Sequence, residues 1–152
     1  MERRGASVYH SLVFQYGNTK VNTWDNWHLI PATRPVLTQP TPTYNYVDIP
    51  GKDGSMDLTD YLIGRPTYSD RQGTFEFYVA NDYGNWASRR AEIAAFLNGR
   101  SMKMYLEDEP QYYYIGRFVL KAWTPDASHS RVTIEYRVKP YRYLVNGGEA
   151  GL

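Results

Sequence analysis

The stretch RVTIEYRVK, Arg131 to Lys139, decides the fold class because apolar and polar side chains alternate along its whole length. This period of two predicts a β-strand with one buried face. TFEFYVA, residues 74–80, and SMKMYL, residues 101–106, repeat the pattern. The buried face of the first stretch would carry Val132, Ile134, Tyr136 and Val138. The chain is therefore predicted to be mainly β.

A fourth strand is predicted from YYYIGRFVLKAW, residues 112–123, which is apolar on both faces. One face would carry Phe118 and Leu120, and the other would carry Ile115, Val119 and Trp123. A strand with two apolar faces is typical of the middle of a sheet, or of a strand whose second face meets a partner.

One segment departs from the strand pattern. In NWASRRAEIAAFLNGR, residues 85–100, apolar side chains recur at helical spacing, and Ala and Glu favour a helix. Asn85 is a suitable N-cap, and Gly99 suits the position after the last turn. The order of elements predicts an α+β domain, as a β-sandwich or barrel with one short helix on its flank.

Composition excludes several classes of function. The 152 residues fit one domain, predicted to span residues 1–145 with a frayed tail at 146–152. The 17 Lys and Arg against 16 Asp and Glu leave a net charge of +1, so no dominant field would attract nucleic acid or an anionic membrane. With 0 Cys, disulfides and thiolate metal sites are excluded, which suits assembly in a reducing cytoplasm. The beginning, MERRGASVYHSLVF, reads as a strand rather than as a signal peptide or membrane span.

The stretch YVDIPGKDGSMDLTDYLIG, residues 46–64, superficially resembles a calcium loop. Such a loop needs acids at alternating positions before its glycine and a distant Glu, and these are missing. Two short strands, Tyr46–Ile49 and Met56–Leu62, joined through Pro50, Gly51 and Gly54, account for the residues without a ligand. We therefore predict a hairpin turn here.

No set of residues suited to catalysis, a cofactor or a metal emerges from the sequence. The acids in LEDEP, residues 106–110, could offer a carboxylate pair, but adjacent acids before a proline are typical of a solvated turn. His10, His28 and His129 have no second ligand at metal spacing. The chain is therefore predicted not to be an enzyme.

Two segments suggest contact with other proteins. In NTWDNWHLIP, residues 22–31, Trp24 and Trp27 are either a core plug that closes the first strand pair or an anchor at an interface. The segment PATRPVLTQPTP, residues 31–42, is predicted to be an extended arm or edge crossing because proline fixes φ and lacks a donor. It either reaches a neighbour or forms a rigid connection within one subunit.

These residues together resemble one family, the distal tail (Dit) proteins of long-tailed, non-contractile bacteriophages. The most specific parts are WHLIPATRP, residues 27–35, and IPGKDGSMDLT, residues 49–59, and the resemblance runs from YHSLVF to VTIEYRVKPYRY. It implies a β-barrel or sandwich of the tail-tube type with a flanking helix. Longer members add a C-terminal β-domain, often galectin-like, and because this chain stops after KPYRYLV, sugar binding through that domain is not carried over.

The resemblance also implies a structural role in the virion, at the distal end of the tail, after assembly in the bacterial host cytoplasm. Six copies would form a ring that joins the tail tube to the tail hub or baseplate, and DNA would pass through its lumen. Expected partners are further copies of the chain, the tail-tube protein, the hub or tip protein and the tape-measure protein. No membrane contact and no cofactor are expected.

Edge strands and extended segments are expected to pair with the next subunit around such a ring. The predicted interface residues are Trp24, Trp27, His28, Pro35, Pro40, Pro42, Gly51 and Asp53. Two other functions stay open: the major tail-tube subunit, and a carbohydrate-binding β module in which Trp86 or Trp123 would stack on a sugar. An enzyme using Glu107 is a third and weaker alternative.

Overall fold

The structure, a computed structural model, describes residues 10–80, 85–125 and 129–152. Its helix is α1 (Trp86–Leu97). Its strands are β1 (Leu12–Tyr16), β2 (Thr19–Asn22), β3 (Ile30–Pro31), β4 (Pro42–Thr43), β5 (Tyr46–Asp48), β6 (Ser55–Asp57), β7 (Thr67–Tyr68), β8 (Arg71–Ala80), β9 (Ser101–Leu106), β10 (Tyr112–Thr124), β11 (His129–Val138), β12 (Arg142–Leu144) and β13 (Glu149–Gly151). The mainly β fold with a short helix is confirmed, while residues 1–9 of the predicted first strand lie outside the described ranges.

Most strands belong to one antiparallel sheet in the order β2-β1-β9-β10-β11-β8-β3. Its longest ladder joins β11 to β8 along ten residue pairs, from His129 opposite Ala80 to Val138 opposite Arg71. The strands β12 and β13 extend the sheet beside the beginning of β10. Two small ladders, β4 with β7 and β5 with β6, lie outside this sheet.

The large sheet curls until its two edges meet. In a flat sheet, β2 and β3 would lie about 29 Å apart, since six strand spacings of about 4.8 Å separate them. Thr23 extends the ladder of β2 by donating its backbone N–H to Leu12 O at 2.9 Å. Leu29, which directly precedes β3, donates its N–H to Thr23 O at 2.8 Å. The sheet is therefore a barrel that closes at this point.

The predicted alternation places the core inside the barrel. On β11 the residues Ser130, Val132, Ile134, Tyr136 and Val138 are buried, and the residues between them face outward. Phe75, Phe77 and Val79 of β8 and Met102, Met104 and Leu106 of β9 are buried in the same way. Alternating burial on neighbouring strands confirms the period of two that the sequence showed.

The prediction for β10 was wrong at one residue. Its pairing with β11 shifts between Leu120, opposite Ile134, and Ala122, opposite Thr133. This bulge inserts one extra residue, so Trp123 returns to the core side together with Leu120. Val119, by contrast, is exposed on the outer face as predicted.

The helix covers one side of the barrel and packs against β10. Ile93 and Leu97 are buried, and Phe96 packs against the core. Asn98 ends the helix in the left-handed region with φ 38°, and Gly99 follows with φ 65°. Gly99 then donates its N–H to Phe118 O at 2.9 Å, which ties the end of the helix to β10. Among the described residues, no helix is long and apolar enough to span a membrane.

A charged cluster fixes β12 to the beginning of β10. Arg142 donates to Glu109 Oε1 at 2.5 Å, and the Tyr114 hydroxyl donates to the same carboxylate at 3.0 Å. The Arg142 guanidinium also lies 4.0 Å from the centroid of the Tyr112 ring. The C-terminal tail, predicted to fray, instead carries β13, which pairs with β12.

Gly116 of β10 has no room for a side chain. A Cβ there would lie 2.6 Å from Arg137 O and 2.8 Å from Val138 Cα. Since these atoms are backbone, we expect Gly116→Ala to force β10 from β11 and lower the free energy of unfolding by about 1–3 kcal/mol. Chemical denaturation would measure this loss. Gly148→Ala is the matched control because open space surrounds that position; equal stability of both variants would contradict the expectation.

Tyr114 makes stability depend on pH at high pH. Burial, and then the neighbouring Glu109 carboxylate, raise the pKa of the Tyr114 hydroxyl to about 12, against about 10 for an exposed tyrosine. The folded protein therefore keeps this proton while the unfolded chain loses it. The contribution is complete below pH of about 10 and is lost as pH rises towards about 12. We expect Tyr114→Phe to flatten this part of the stability profile, whereas Tyr61→Phe, at an exposed position, should leave it unchanged.

Candidate assembly surface

A protruding arm, residues 42–68, contains the most exposed apolar surface of the described residues. It leaves the barrel through the β4–β7 ladder and ends in the β5–β6 hairpin, and neither of these ladders joins the large sheet. Every residue of β5 and β6 is exposed. A two-stranded hairpin alone is at best marginally stable in water. The arm therefore presents surface that the core of its own chain does not cover.

The tip of the arm is a glycine-dependent turn. Lys52 donates its N–H to Ile49 O at 3.1 Å, and Pro50 and Gly51 occupy the two central positions of this turn. Gly51 has φ 78°, so the pair Pro-Gly matches a type II turn. The hairpin reading of the sequence is confirmed, but β6 ends at Asp57 and not at Leu62 as predicted.

Beyond β6 the chain forms a second turn that displays three apolar side chains. The Asp57 carboxylate accepts hydrogen bonds from the Thr59 hydroxyl and backbone N–H, which lowers the pKa of Asp57. Gly64 donates its N–H to Asp60 O at 2.8 Å and closes the turn. Tyr61, Leu62 and Ile63 are then 79%, 88% and 61% exposed. So large an exposed apolar cluster is typical of an interaction site.

The base of the arm rests on one tyrosine of the barrel. Arg65 Nη1 donates to the Tyr141 hydroxyl at 2.7 Å, and its guanidinium lies 5.7 Å from the centroid of that ring. The Tyr68 ring meets the Tyr141 ring edge-on at 6.2 Å. The arm is therefore held at its base, and no contact of this kind joins its outer part to the other residues that the structure describes.

The predicted interface residues lie in three separate places. Gly51 and Asp53 are exposed at the tip of the arm, and Pro42 begins the arm in β4. Pro35 and Pro40 are buried on the segment that crosses from β3 to the arm. This segment is held by Ala32 N–H on Glu76 O at 2.9 Å and by Thr38 N–H on the Tyr136 hydroxyl at 3.0 Å. It is an edge crossing against its own barrel.

Trp24, Trp27 and His28 occupy the connection that closes the barrel. Trp27 is 2% exposed and packs between Phe14 and Phe96, with ring centroids 6.1 Å and 5.7 Å away. Its ring has almost no surface for a neighbour, which makes it the core plug. Trp24 is half-buried, and its ring meets the exposed His28 ring edge-on at 5.4 Å. These two remain accessible beside the barrel.

The acids of LEDEP have structural partners. Asp108 accepts two hydrogen bonds from Arg34, at 2.5 and 2.7 Å, and this contact lowers the pKa of Asp108. Glu107 accepts the Ser11 backbone N–H at 3.3 Å, and Glu109 belongs to the cluster at β12. Within the described ranges, no group of three or more His, Asp or Glu side chains could hold a metal ion.

Tyr61, Leu62 and Ile63 were not among the predicted contact residues. The predicted strand Met56–Leu62 included Tyr61 and Leu62 and ended before Ile63. The adjacent apolar residues Leu62 and Ile63 argue against a half-buried strand here, because such a strand would place them on opposite faces and expose one of them.

No protein-family model matches the chain, and no curated protein matches it. Among solved structures, the chain is similar to the crystal structure of Dit (gp 19.1) of phage SPP1, described as a paradigm of the hub adsorption apparatus in phages that infect Gram-positive bacteria. The TM-score is 0.59 at 20% sequence identity, over 88% of this chain and 52% of that one. The chain thus has a Dit-like fold and spans about half the length of the SPP1 protein.

The exposed cluster of the arm should matter little to the stability of a single subunit. We expect the triple change Tyr61→Ser, Leu62→Ser and Ile63→Ser to alter the free energy of unfolding by at most about 0.5 kcal/mol, since these side chains have no core contacts to lose. Leu29→Ala, at a fully buried position, should cost about 2–5 kcal/mol. Denaturation measured under conditions that keep the chain monomeric compares the two, and a large loss in the triple variant would place the cluster inside the fold.

Proposed function

We propose that this chain is a structural component of a phage tail, a distal tail protein whose copies form a hexameric ring between the tail tube and the tail hub or baseplate. The likeness of fold to SPP1 Dit supports this proposal, together with the resemblance of WHLIPATRP and IPGKDGSMDLT to the same family. In this role the chain works by assembly, and DNA passes through the lumen of the ring.

The exposed arm is the single observation that carries this proposal. The barrel is complete without the arm, because its edges meet through Thr23 and Leu29 and its core is filled. The arm nonetheless exposes Tyr61, Leu62 and Ile63 to solvent. A monomer gains nothing from so large an exposed apolar cluster, which is typical of an interaction site. Contact with a neighbouring subunit would cover these side chains and would explain their exposure in a single copy.

The proposed partners follow from this place in the tail. They are further copies of the chain, the tail-tube protein above the ring, the hub or tip protein below it, and the tape-measure protein in the lumen. The ring would be assembled in the host cytoplasm and would stand at the distal end of the tail in the virion.

Native mass spectrometry and negative-stain images of the purified protein test the proposal. We expect six-fold rings with an open lumen. The matched variant replaces residues 44–64 with a short Gly-Ser linker and should remain folded but monomeric, because only the arm is lost. Long tubes of stacked rings would instead identify the major tail-tube subunit, and rings that form without the arm would contradict its role.

A further inference from the structure

One outer face of the barrel carries a row of cations. The strands β1, β2, β9 and β10 contain no Asp or Glu. Their register aligns Lys20, Gln15, Lys103 and Ile115 in one row across the sheet. Arg117 points outward from β10, two residue pairs further along. We call Lys20, Lys103, Arg117 and their tyrosine neighbours the cationic face.

A row of tyrosines lies beside these cations. Tyr105, Tyr113 and Tyr143 stand opposite one another on β9, β10 and β12, with ring centroids 5.8 and 5.6 Å apart. Lys20 lies 5.3 Å from the Tyr105 ring, and Lys103 lies 4.7 Å from the Tyr113 ring. These contacts hold the lysine side chains against the sheet, so that the positive charges stand in a fixed pattern.

A depression in this face is large enough for an apolar side chain. It has a volume of about 300 Å³ and is lined by Gln15, Gly17, Ser101, Met102, Lys103 and Ile115. Its position between the cation row and the turn after β1 places apolar and positive surface side by side. A fitting partner therefore combines large apolar side chains with carboxylates.

The arm of this same chain has that chemistry. Between residues 44 and 64 it carries four acids, Asp48, Asp53, Asp57 and Asp60, against the single basic residue Lys52. All four acids are exposed, and the last is followed directly by Tyr61, Leu62 and Ile63. Among the described residues of one subunit, β5 and β6 pair only with each other.

We propose that the arm of one copy docks on the cationic face of the next copy, with its carboxylates on Lys20 and Lys103 and its apolar turn in the adjoining depression. This inference rests on the proposed ring and names the surface that receives the arm. Donor and acceptor surfaces differ, so the contact is heterologous, and a heterologous contact closes into a ring when the rotation between subunits allows it.

Charge complementarity favours a second copy over DNA as the occupant. Phosphates could meet the lysines, but a surface of fixed cations in a lumen would hold a passing duplex through many phosphate contacts. The apolar depression would also be left without a partner. The arm supplies carboxylates for the lysines and apolar side chains for the depression. A partner with a positively charged surface would be repelled.

Charge reversal on each surface tests the proposal, and mixing the two reversed variants should restore assembly. The face variant carries Lys20→Glu and Lys103→Glu, and the arm variant carries Asp53→Lys and Asp60→Lys. Each alone should need at least about tenfold more protein to assemble, because like charges then meet at every contact. In an equimolar mixture, the negative face of one variant meets the positive arm of the other, and an alternating ring restores every contact. Native mass spectrometry distinguishes the two subunits by mass.

Two controls decide what a failure means. The double change Arg90→Glu and Arg131→Glu alters the net charge equally but lies on α1 and β11, outside the four strands of the face, and it should assemble as wild type does. Thermal melting of each variant shows that its subunit folds, and Lys20→Gln with Lys103→Gln serves as a milder face variant if the reversal does not fold.

Assembly of the two folded variants only when mixed is the expected result. Two folded variants that stay apart in the mixture would overturn the docking surface while leaving a wild-type ring intact. Absence of any wild-type ring would instead reject the proposed function together with the inference. Tight binding of wild-type protein to a labelled DNA duplex, lost in the face variant, would assign the face to nucleic acid and overturn the proposal.

Discussion

The hydrogen bond between Leu29 N–H and Thr23 O closes the barrel, and the rest of the structure depends on that closure. Residues 23–29 can join the two edges of a seven-strand path because they form compact turns, with Asn26 N–H on Asn22 O and His28 N–H on Trp24 O. Trp27 projects from these turns into the core, against Phe14 and Phe96. A flat sheet would leave both edges open to aggregation and would give Trp27 nothing to fill.

Closure of the barrel separates the side chains of its strands into those that pack in the interior and those that face outward. Once Phe75, Met104 and Ile134 face inward, every second residue of their strands must face outward, and most charged side chains of these strands lie there. The cationic face and the tyrosine row are consequences of strand register, since Lys103 and Tyr113 come together only through the pairing of β9 with β10. The arm stands apart because it contributes nothing to the interior.

A closed barrel with an uncovered arm suits the proposed role of a subunit that assembles with its own copies. In the proposed ring, a core that does not include the arm leaves the arm free to be apolar and acidic where the neighbouring copy is basic. Two different complementary surfaces allow a closed ring, whereas a single self-complementary patch would favour a dimer. The anchoring of the arm at Tyr141 limits its directions and so lowers the entropy lost on docking.

Local pattern in the sequence determined the long strands, the helix and most of the core, because alternation in RVTIEYRVK and helical spacing in residues 85–100 depend only on neighbours along the chain. The Pro-Gly turn at residues 49–52 was also predictable, since proline fixes φ at position 50 and Gly51 permits the positive φ that a type II turn requires. Tertiary structure alone decided the bulge that turns Trp123 inward, the burial of Trp27, the end of β6 at Asp57 and the pairing of β13. Each of these depends on a partner distant in sequence, and no local pattern encodes whether a side chain such as Leu62 finds a core to enter or is left for a neighbouring subunit.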